Sequence, residues 1–305
     1  MNANAVLDLE AWTEVQLHDV EQALSRWISS EAPAGLGAAM RYAVLDGGKR
    51  LRPLLVLAAR QAVASGEKDT ALDQAALRAA CATELIHAYS LVHDDMPCMD
   101  NDVLRRGKPT VHVQFGEALA LLSGDALQAM AFELLTPDAS NIDERLQARL
   151  CRLLAKAAGH EGMAGGQAID LASVGVLLNE AQLRQMHRLK TGALLEASVM
   201  MGAACGHASD QALKGLQIYG QSLGLAFQVV DDILDVTSDS ATLGKTAGKD
   251  AAHDKPTYVS LLGLSHAQNY ANALLDESLQ ALGQTGLTHT HALAALATRL
   301  VKRNT

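Results

Sequence analysis

Three aspartates, Asp94, Asp95 and Asp100, directly follow an apolar stretch of the chain at residues 84–93. Apolar residues recur in this stretch at helical spacing, and Pro97 is placed to end the helix just beyond Asp94 and Asp95. Carboxylates are unfavourable at the negative end of a helix dipole unless a cation lies among them. Because oxygen ligands without Cys or paired His are typical of Mg²⁺, the cluster predicts a magnesium site.

A second acidic cluster lies far along the chain, in another apolar segment. Asp231 and Asp235 are spaced i,i+4, which places them on one face of a helix, with Gln228 one turn earlier on the same side. A solvated acidic turn would be the ordinary interpretation of a single Asp–Asp pair. Two acidic groups inside two apolar helices argue against it, because buried carboxylates are costly unless cations pair with them.

Basic residues cluster at residues 47–53, where two glycines precede Lys49, Arg50 and Arg52. Three positive charges on a backbone freed by glycine suit a diphosphate group. The alternative is a solvated helix junction, which in isolation is the more common meaning of such a pattern.

A second basic group, Arg105, Arg106 and Lys108, closely follows the aspartates at 94–100. Cations this close to a carboxylate cluster suggest one polyanion that is coordinated by metal on one side and held by guanidinium groups on the other. A network of Arg–Asp salt bridges is the alternative.

Other polar residues interrupt apolar helices. His87 lies about two turns before Asp94 on a similar face, so it is either a ligand contact or a core histidine. Lys190 and Thr191 stand within a helix predicted over 183–206, a costly placement unless an anion is near. Gln167 and Asp170, at i,i+3, are further candidates for the site.

Residues 242–256 form a polar segment that contains Lys245, Asp250 and Lys255. Its composition predicts a lid that closes over phosphate charge. The triplet at 244–246 is similar to the end of a P-loop, but the first glycine of that motif and a preceding strand are both absent. A nucleotide site is therefore rejected.

The composition predicts an all-α protein with a single domain over residues 1–305. Only 3% of the residues are aromatic, no strand-like alternation occurs, and no linker divides the chain. A net charge of -9 argues against nucleic acid and anionic membranes as partners. The four cysteines have no CxxC spacing, and neither a signal peptide nor a membrane-spanning apolar segment is evident, so reduced thiols and a cytoplasmic location are expected.

Taken in order, the motifs at 47–53, 94–106, 190–191 and 228–235 resemble those of the trans-isoprenyl diphosphate synthases. The four residues between the Asp pair and the third Asp resemble the bacterial farnesyl diphosphate synthases within that family. The resemblance implies an isoprenoid synthase-type helical bundle around a deep central cavity, usually as a homodimer. Val103 departs from the pattern, since many relatives continue an acidic run there.

The resemblance also implies a role for each matching residue. Magnesium, with three ions expected and Mn²⁺ as a substitute, would be bound by Asp94, Asp95, Asp100, Asp231, Asp235 and Asp250. The allylic diphosphate would be held by Arg105, Lys190, Thr191, Gln228, Lys245 and Lys255. Isopentenyl diphosphate would be held by Lys49, Arg52, His87 and Arg106. The residues most directly involved in catalysis would be Asp94, Asp100, Arg105, Lys190, Asp231 and Lys245.

The implied reaction is head-to-tail condensation of isopentenyl diphosphate with dimethylallyl or geranyl diphosphate to give farnesyl diphosphate. Ser90, one turn before Asp94, is small and leaves room for the growing tail, while Tyr89 would form a floor below it. The alternative for Tyr89 is ordinary core packing. Geranylgeranyl diphosphate is the second candidate product. A terpene cyclase would not need the second diphosphate site, and a non-catalytic partner subunit would not need both aspartate clusters.

Overall fold

The computed structural model describes residues 7–45, 47–66, 68–138, 140–237 and 257–302. Nearly all of the regular structure is helical, as the composition predicts. The helices are α1 (Leu9–Trp27), α2 (Leu36–Val44), α3 (Leu51–Ala62), α4 (Thr70–Asp94), α5 (Val111–Phe115), α6 (Glu117–Leu135), α7 (Glu144–Ala158), α8 (Met163–Ala172), α9 (Glu180–His187), α10 (Ala193–Ala204), α11 (Asp210–Thr237), α12 (Tyr258–Leu262), α13 (Leu264–Gly283) and α14 (His291–Val301).

Helix α4 lies at the centre of the bundle and carries the first aspartate cluster at its C-terminal end. It begins after Asp69, whose side chain accepts hydrogen bonds from two backbone N–H groups of the first turn. The helix is buried on all sides along most of its length, and many of the buried residues are alanines. Small side chains allow neighbouring helices to pack closely against it, which fixes the position of its C-terminal end.

The hydrophobic core has two parts that meet at α3 and α10. One part joins these two helices to α1, α2, α4, α6 and α7, and the other joins them to α9, α11, α13 and α14. Helices α3 and α10 approach closely at Gly202, where an added Cβ would overlap the carbonyl oxygen of Val56. This shared layer agrees with a single domain, although the division of the chain stays a prediction.

Single residues set several of the helix boundaries. Gly116, which has a φ of +86°, separates α5 from α6. Helix α7 begins at Glu144, after the N-cap residue Asp143. Helix α3 begins two residues before Pro53, which is tolerated there because the first-turn N–H groups have no partner within the helix.

A short hairpin follows the first aspartate cluster, although no strand was predicted from the sequence. Leu104–Arg105 (β1) pairs with Lys108–Pro109 (β2), and Arg106 and Gly107 form the two-residue turn with φ values of +52° and +78°. Two positive φ angles are typical of a type I′ turn, whose twist matches that of the paired strands. The hairpin determines the positions of both arginines, and the all-α class is unaffected.

No apolar segment long enough to span a membrane was expected from the sequence, and helix α6 is an exception to that expectation. With 19 residues, most of them apolar, it is long and apolar enough to cross a membrane by length and composition alone. It nevertheless packs within the bundle against α2, α4 and α5, and it carries Glu117, Asp125 and Glu133.

Candidate active site

A cavity of about 590 Å³ lies between α4, α8, the turn before α10, and α11. Both aspartate clusters contribute to its wall, as do the tyrosine and serine predicted to limit product length. Of the predicted site residues, it is lined by Arg52, His87, Tyr89, Ser90, Asp94, Asp100, Arg105, Lys190, Thr191, Gln228, Asp231 and Asp235. The tertiary structure therefore brings together residues that are up to about 180 positions apart in the sequence.

One acidic wall comes from the end of α4. The backbone N–H of Asp100 donates to the carbonyl of Asp94 at 2.8 Å, so the turn after the helix folds back and brings both side chains to the cavity. The pKa of Asp94 is raised to about 6, chiefly by burial; the charges of Asp100 and Asp95 contribute to the rise, while Lys190 and Arg105 oppose it. A carboxylate with this raised pKa is stabilised by any cation that approaches it.

The facing acidic wall comes from α11, where Asp231 and Asp235 line the same cavity. Asp235 is buried, and its Oδ1 atom has no hydrogen-bond partner among the described residues. A buried carboxylate oxygen without a partner is costly and is satisfied if a cation or bound water lies against it.

These residues fit magnesium, but they do not form a closed site by themselves. In the part of the chain that the structure describes, no three His, Cys, Asp or Glu side chains come close enough to hold an ion together. Mg²⁺ commonly uses one or two carboxylates together with substrate phosphate oxygens. The two separated walls suit an ion that completes its coordination with a diphosphate.

Asp95 is placed differently from the other aspartates. Its buried carboxylate accepts hydrogen bonds from Arg105, at 2.8 Å from Nε to Oδ2 and 2.6 Å from Nη2 to Oδ1, and it does not line the main cavity. Burial lowers the pKa of Arg105, but the hydrogen bonds and charge of Asp95 outweigh this, and the net shift is upward. Asp95 thus fixes a charged Arg105 at the cavity wall, while its predicted role as a metal ligand stays a prediction.

Lys190 and Thr191 lie in a π-helical turn, Arg188–Gly192, that interrupts the long helix predicted from the sequence. The turn fits closely against two neighbouring helices: a Cβ at Gly166 would overlap the backbone of Lys190, and one at Gly224 would lie 2.7 Å from the Cα of Gly192. Single π-helical turns inside α-helices are frequent at functional sites. Here the turn directs both polar side chains to the cavity.

The polar side chains of this turn are linked to α8 and α11. Lys190 donates to Asp170 at 2.6 Å, and Thr191 donates to the side-chain carbonyl of Gln228 at 3.0 Å. Gln228 in turn donates to Asp232 at 2.8 Å. Asp170 and Gln167 line the cavity, as their spacing suggested, and the side-chain O and N atoms of Gln167 are buried without a partner in the described part of the protein.

Asp232 is a residue of the site that sequence reasoning missed. Its buried carboxylate accepts from Gln228 and also, at 2.7 Å, from the backbone N–H of Tyr258 at the start of α12. It therefore joins the substrate-facing turn to the helix that follows residues 238–256. The only sequence signal for Asp232 was that it directly follows Asp231, and the i,i+4 spacing favoured Asp235 as the second residue of the pair.

The predicted second anion site is partly assembled around Arg52 and His87. Burial lowers the pKa of Arg52 to about 10, and its Nε atom has no hydrogen-bond partner among the described residues. Burial, followed by the charge of Arg52 and other arginines, holds the pKa of His87 well below its usual range, so this imidazole is neutral at pH 7. A half-buried guanidinium with a buried Nε–H, beside a neutral imidazole, suits an anion.

The other two residues predicted for this site lie outside the main cavity lining. Lys49 is exposed on the loop before α3. Arg106 donates from Nη1 to the carbonyl of Gly47, and it lines a small neighbouring cavity of about 50 Å³ together with His87 and Arg105. The hairpin and the glycine loop are thus held side by side at one end of the site.

Arg50 does not belong to the anion site, although the sequence offered it as one of three neighbouring cations. Its guanidinium is buried and donates to Glu84 at 2.7 Å, to Glu21 at 2.7 Å and to the carbonyl of Val44 at 2.6 Å. All of these groups are structural, so Arg50 fastens the basic loop to α1 and α4.

Tyr89 and Ser90 both line the cavity. Tyr89 is buried, and its ring packs edge-on against His93 with a centroid separation of 5.7 Å. Ser90 presents little bulk, and its hydroxyl donates to the carbonyl of His87. Three other predicted site residues, Lys245, Asp250 and Lys255, lie outside the described residues.

The structure shares its architecture with solved isoprenyl synthases. A geranyltransferase from Helicobacter pylori, whose crystal structure contains magnesium and isoprenyl diphosphate, superposes with a TM-score of 0.86 at 37% identity, covering 98% of this chain and 99% of that one. The sequence profile of the polyprenyl synthetase family matches residues 33–295. The chain therefore belongs to the polyprenyl synthetase family, and it is a prenyltransferase of isoprenoid biosynthesis.

Individual relatives are named for different products. The chain is 50% identical over 283 residues to a probable farnesyl diphosphate synthase of Sinorhizobium fredii, covering 91% of this chain and 83% of the relative. It is 45% identical to the farnesyl diphosphate synthase of Escherichia coli, over 98% of this chain and all of the relative. It is also 41% identical to a chloroplastic geranylgeranyl pyrophosphate synthase of Catharanthus roseus, over 99% of this chain and 84% of the relative.

Proposed function

We propose that this prenyltransferase condenses isopentenyl diphosphate with dimethylallyl and then geranyl diphosphate to give farnesyl diphosphate and free diphosphate. The observation that carries the proposal is one cavity that has two acidic walls and a lysine–threonine turn beside them, and that is also lined by Arg52 of α3 and, two turns before Asp94, His87 of α4. These groups suit two diphosphates with different roles. A terpene cyclase needs only one of them.

The allylic diphosphate is assigned to the acidic walls. Asp94, Asp100, Asp231 and Asp235 would hold Mg²⁺, with Asp250 as a further ligand in the same proposal; three ions and the acceptance of Mn²⁺ are part of it. Bound magnesium would supply Lewis-acid stabilisation of the leaving diphosphate. The aspartate carboxylates and the diphosphate are both negative and repel each other, so the diphosphate would bind here only together with its cations.

The chain's own cations assist the departure of the diphosphate. Lys190 and Arg105 line the same cavity, and Lys190 can exchange its contact with Asp170 for a phosphate oxygen as negative charge builds up there. From the adjacent wall, Thr191 would turn its hydroxyl from Gln228 to the diphosphate, and Gln228 would donate through the amide hydrogen that does not bond Asp232. In this proposal Lys245 and Lys255 add positive charge from the segment before α12.

Isopentenyl diphosphate is assigned to Arg52, His87, Lys49 and Arg106. The guanidinium of Arg52 has an unsatisfied buried Nε–H, so an anion would relieve the cost of its burial. Anchored there, the homoallylic double bond can attack the allylic carbon as the bond from that carbon to the diphosphate breaks. A proton then passes to the released diphosphate as the new double bond forms. Water must be kept away from this step, because it would otherwise capture the allylic cation.

Product length is assigned to the floor at Tyr89. The growing tail extends from the acidic walls along α4 towards its N-terminus, past the small Ser90 and onto the tyrosine ring. A large side chain here favours a product of fifteen carbons. Geranylgeranyl diphosphate is the second candidate, because the Catharanthus roseus relative is described as a geranylgeranyl pyrophosphate synthase.

The testing experiment is incubation with isopentenyl diphosphate and either dimethylallyl or geranyl diphosphate, followed by chromatography of the dephosphorylated products. Farnesol from both allylic substrates supports the proposal. Tyr89→Ala should lengthen the product and Ser90→Phe should shorten it to ten carbons. A cyclic hydrocarbon or no condensation from the wild-type enzyme would contradict the reaction, whereas geranylgeraniol would contradict only the assigned length.

We also propose a cytoplasmic homodimer, in line with the expectation from the sequence. Leu121 and Leu122 on α6 are 47% and 53% exposed in a helix of high hydropathy. Apolar side chains exposed together on a helix face gain free energy if a second copy covers them. Light scattering on the wild-type protein and on Leu122→Glu tests this; a monomeric wild type would contradict it.

A further inference from the structure

His93 occupies an unusual position beside the floor of the cavity. It is one turn after Tyr89 on α4, and the two rings meet edge to face, at 5.7 Å between centroids and an interplanar angle of 76°. Both rings line the cavity. In a helix, i,i+4 side chains lie over one another, so His93 limits where the Tyr89 ring can move.

The far side of the His93 ring is fixed by α6. Its Nε2 atom lies 3.1 Å from the carbonyl oxygen of Leu121 and 3.9 Å from the carboxylate of Asp125. Because a carbonyl oxygen only accepts, Nε2 carries the proton in this contact. The ring is therefore held by a directional bond from the neighbouring helix as well as by packing.

Gly124 makes room for that ring. A Cβ at this position would overlap the Nε2 and Cδ2 atoms of His93 and would lie 2.7 Å from Cε1. Gly124 is inside α6, where glycine costs about 1 kcal/mol relative to alanine, and it has an ordinary helical backbone. Its use here is explained by the close approach of the imidazole.

From these contacts we propose that His93 and Gly124 form a specificity pair that sets the position of the Tyr89 floor and thereby the length of the prenyl tail the cavity accepts. The inference rests on the proposed role of Tyr89 in limiting chain length. The pair acts through shape: Gly124 and the Leu121 carbonyl keep the imidazole against α6, and the imidazole keeps the phenol ring across the cavity.

The two positions predict opposite changes. His93→Ala removes the ring that packs edge to face against Tyr89. The tyrosine ring can then move aside for a longer tail, and the share of twenty-carbon product should rise several-fold. Gly124→Ala pushes the imidazole away from α6 towards the cavity, which is the side of the ring that is open. Geranyl diphosphate should then accumulate, and its KM should rise roughly tenfold, as expected when about one methylene group no longer fits.

A double-mutant cycle gives the decisive measurement. If Gly124→Ala acts by displacing the imidazole, it should have no further effect on the product ratio in the His93→Ala background. A merely structural effect of the added methyl group would appear in both backgrounds. Gly283→Ala is the matched control, because an added Cβ there meets no described atom within 4 Å, and its product ratio should equal that of the wild type.

The outcomes separate this inference from the proposed function. If the wild-type enzyme makes no linear prenyl product, the proposed function is wrong. If it does, and Tyr89→Ala lengthens the product while His93→Ala and Gly124→Ala leave the distribution unchanged, the specificity pair alone is overturned. Thermal unfolding of each variant identifies any that fails to fold. Should Gly124→Ala fail to fold, an unaltered product ratio for His93→Ala would still overturn the inference.

Discussion

Arg50→Met should destabilise the protein, whereas Arg52→Met should impair the use of one substrate and leave the fold intact. The two arginines are two residues apart, but their surroundings differ. Arg50 pairs at 2.7 Å with Glu84, and both side chains are almost fully buried. Arg52 faces the cavity, and burial lowers its pKa to about 10 although the charge of Glu84 opposes the shift, so its positive charge is less favourable in the folded protein than in water.

The magnitude follows from the buried pair. Removing one partner of a buried ion pair leaves the other charge uncompensated and costs about 3–5 kcal/mol. Glu21 is 38% exposed and can be hydrated again, so its contact adds less than about 1 kcal/mol. An unfolding entropy of about 2.1 cal/mol/K per residue converts a loss of about 4 kcal/mol into a fall in Tm of roughly 6 °C for this chain. Met is shorter than arginine but keeps an apolar stem out to about the position of Nε, so packing along that stem changes little.

Thermal unfolding followed by circular dichroism measures the effect. The double variant Arg50→Met/Glu84→Leu should recover most of the lost stability, because an apolar pair replaces the isolated carboxylate. Arg52→Met should unfold within about 2 °C of the wild type while raising the KM for isopentenyl diphosphate, where about 2–3 kcal/mol of lost charge-assisted hydrogen bonding corresponds to roughly 30–150-fold. The reasoning fails if both single variants lose equal stability, or if the double variant is no more stable than Arg50→Met.

Three further outcomes are expected. Activity should disappear in excess EDTA and return with Mg²⁺ or Mn²⁺; full turnover without a divalent cation would refute the metal assignment. Lys190→Ala should lower kcat with little change in the KM for isopentenyl diphosphate, because its contact strengthens only as the allylic diphosphate departs; steady-state kinetics with each substrate varied in turn would reveal the opposite pattern if the assignment is wrong. The contribution of His187 to stability should fall by up to about 3 kcal/mol as the pH drops from about 6.5 to 4, because burial lowers its pKa to about 4 and its imidazole binds a proton in that range only in the unfolded chain. The lowered pKa of His87 acts in the same direction, whereas the raised pKa of Asp94, about 6, acts in the opposite one. His187→Phe should weaken this dependence, since neither ring nitrogen has a partner in the described structure, while the same change at the exposed His207 should not; equal pH profiles for the wild type and His187→Phe would contradict the argument.

The chemistry of the site could be predicted from the sequence because it depends on residue types at short spacings. Asp94 and Asp100 follow one helix, and Asp231 and Asp235 lie on one face of another, so periodicity alone indicates two acidic walls. The all-α class follows in the same way, since it needs only composition and local pattern. The order of the motifs was enough to suggest the family, which the comparisons with known proteins confirm.

Other features depend on groups that are distant in the sequence, and only the tertiary structure decides them. Arg50 and Arg52 are equivalent in a pattern, but Glu21 and Glu84 lie on other helices and pair with only one of them. Asp95 is turned to Arg105 by a hairpin whose two-residue strands are too short to show a period. The π-helical turn at Lys190 depends on glycines in α8 and α11 that allow those helices to approach it. Residues that look equivalent in the sequence differ in the folded protein, because the atoms packed against them come from distant parts of the chain.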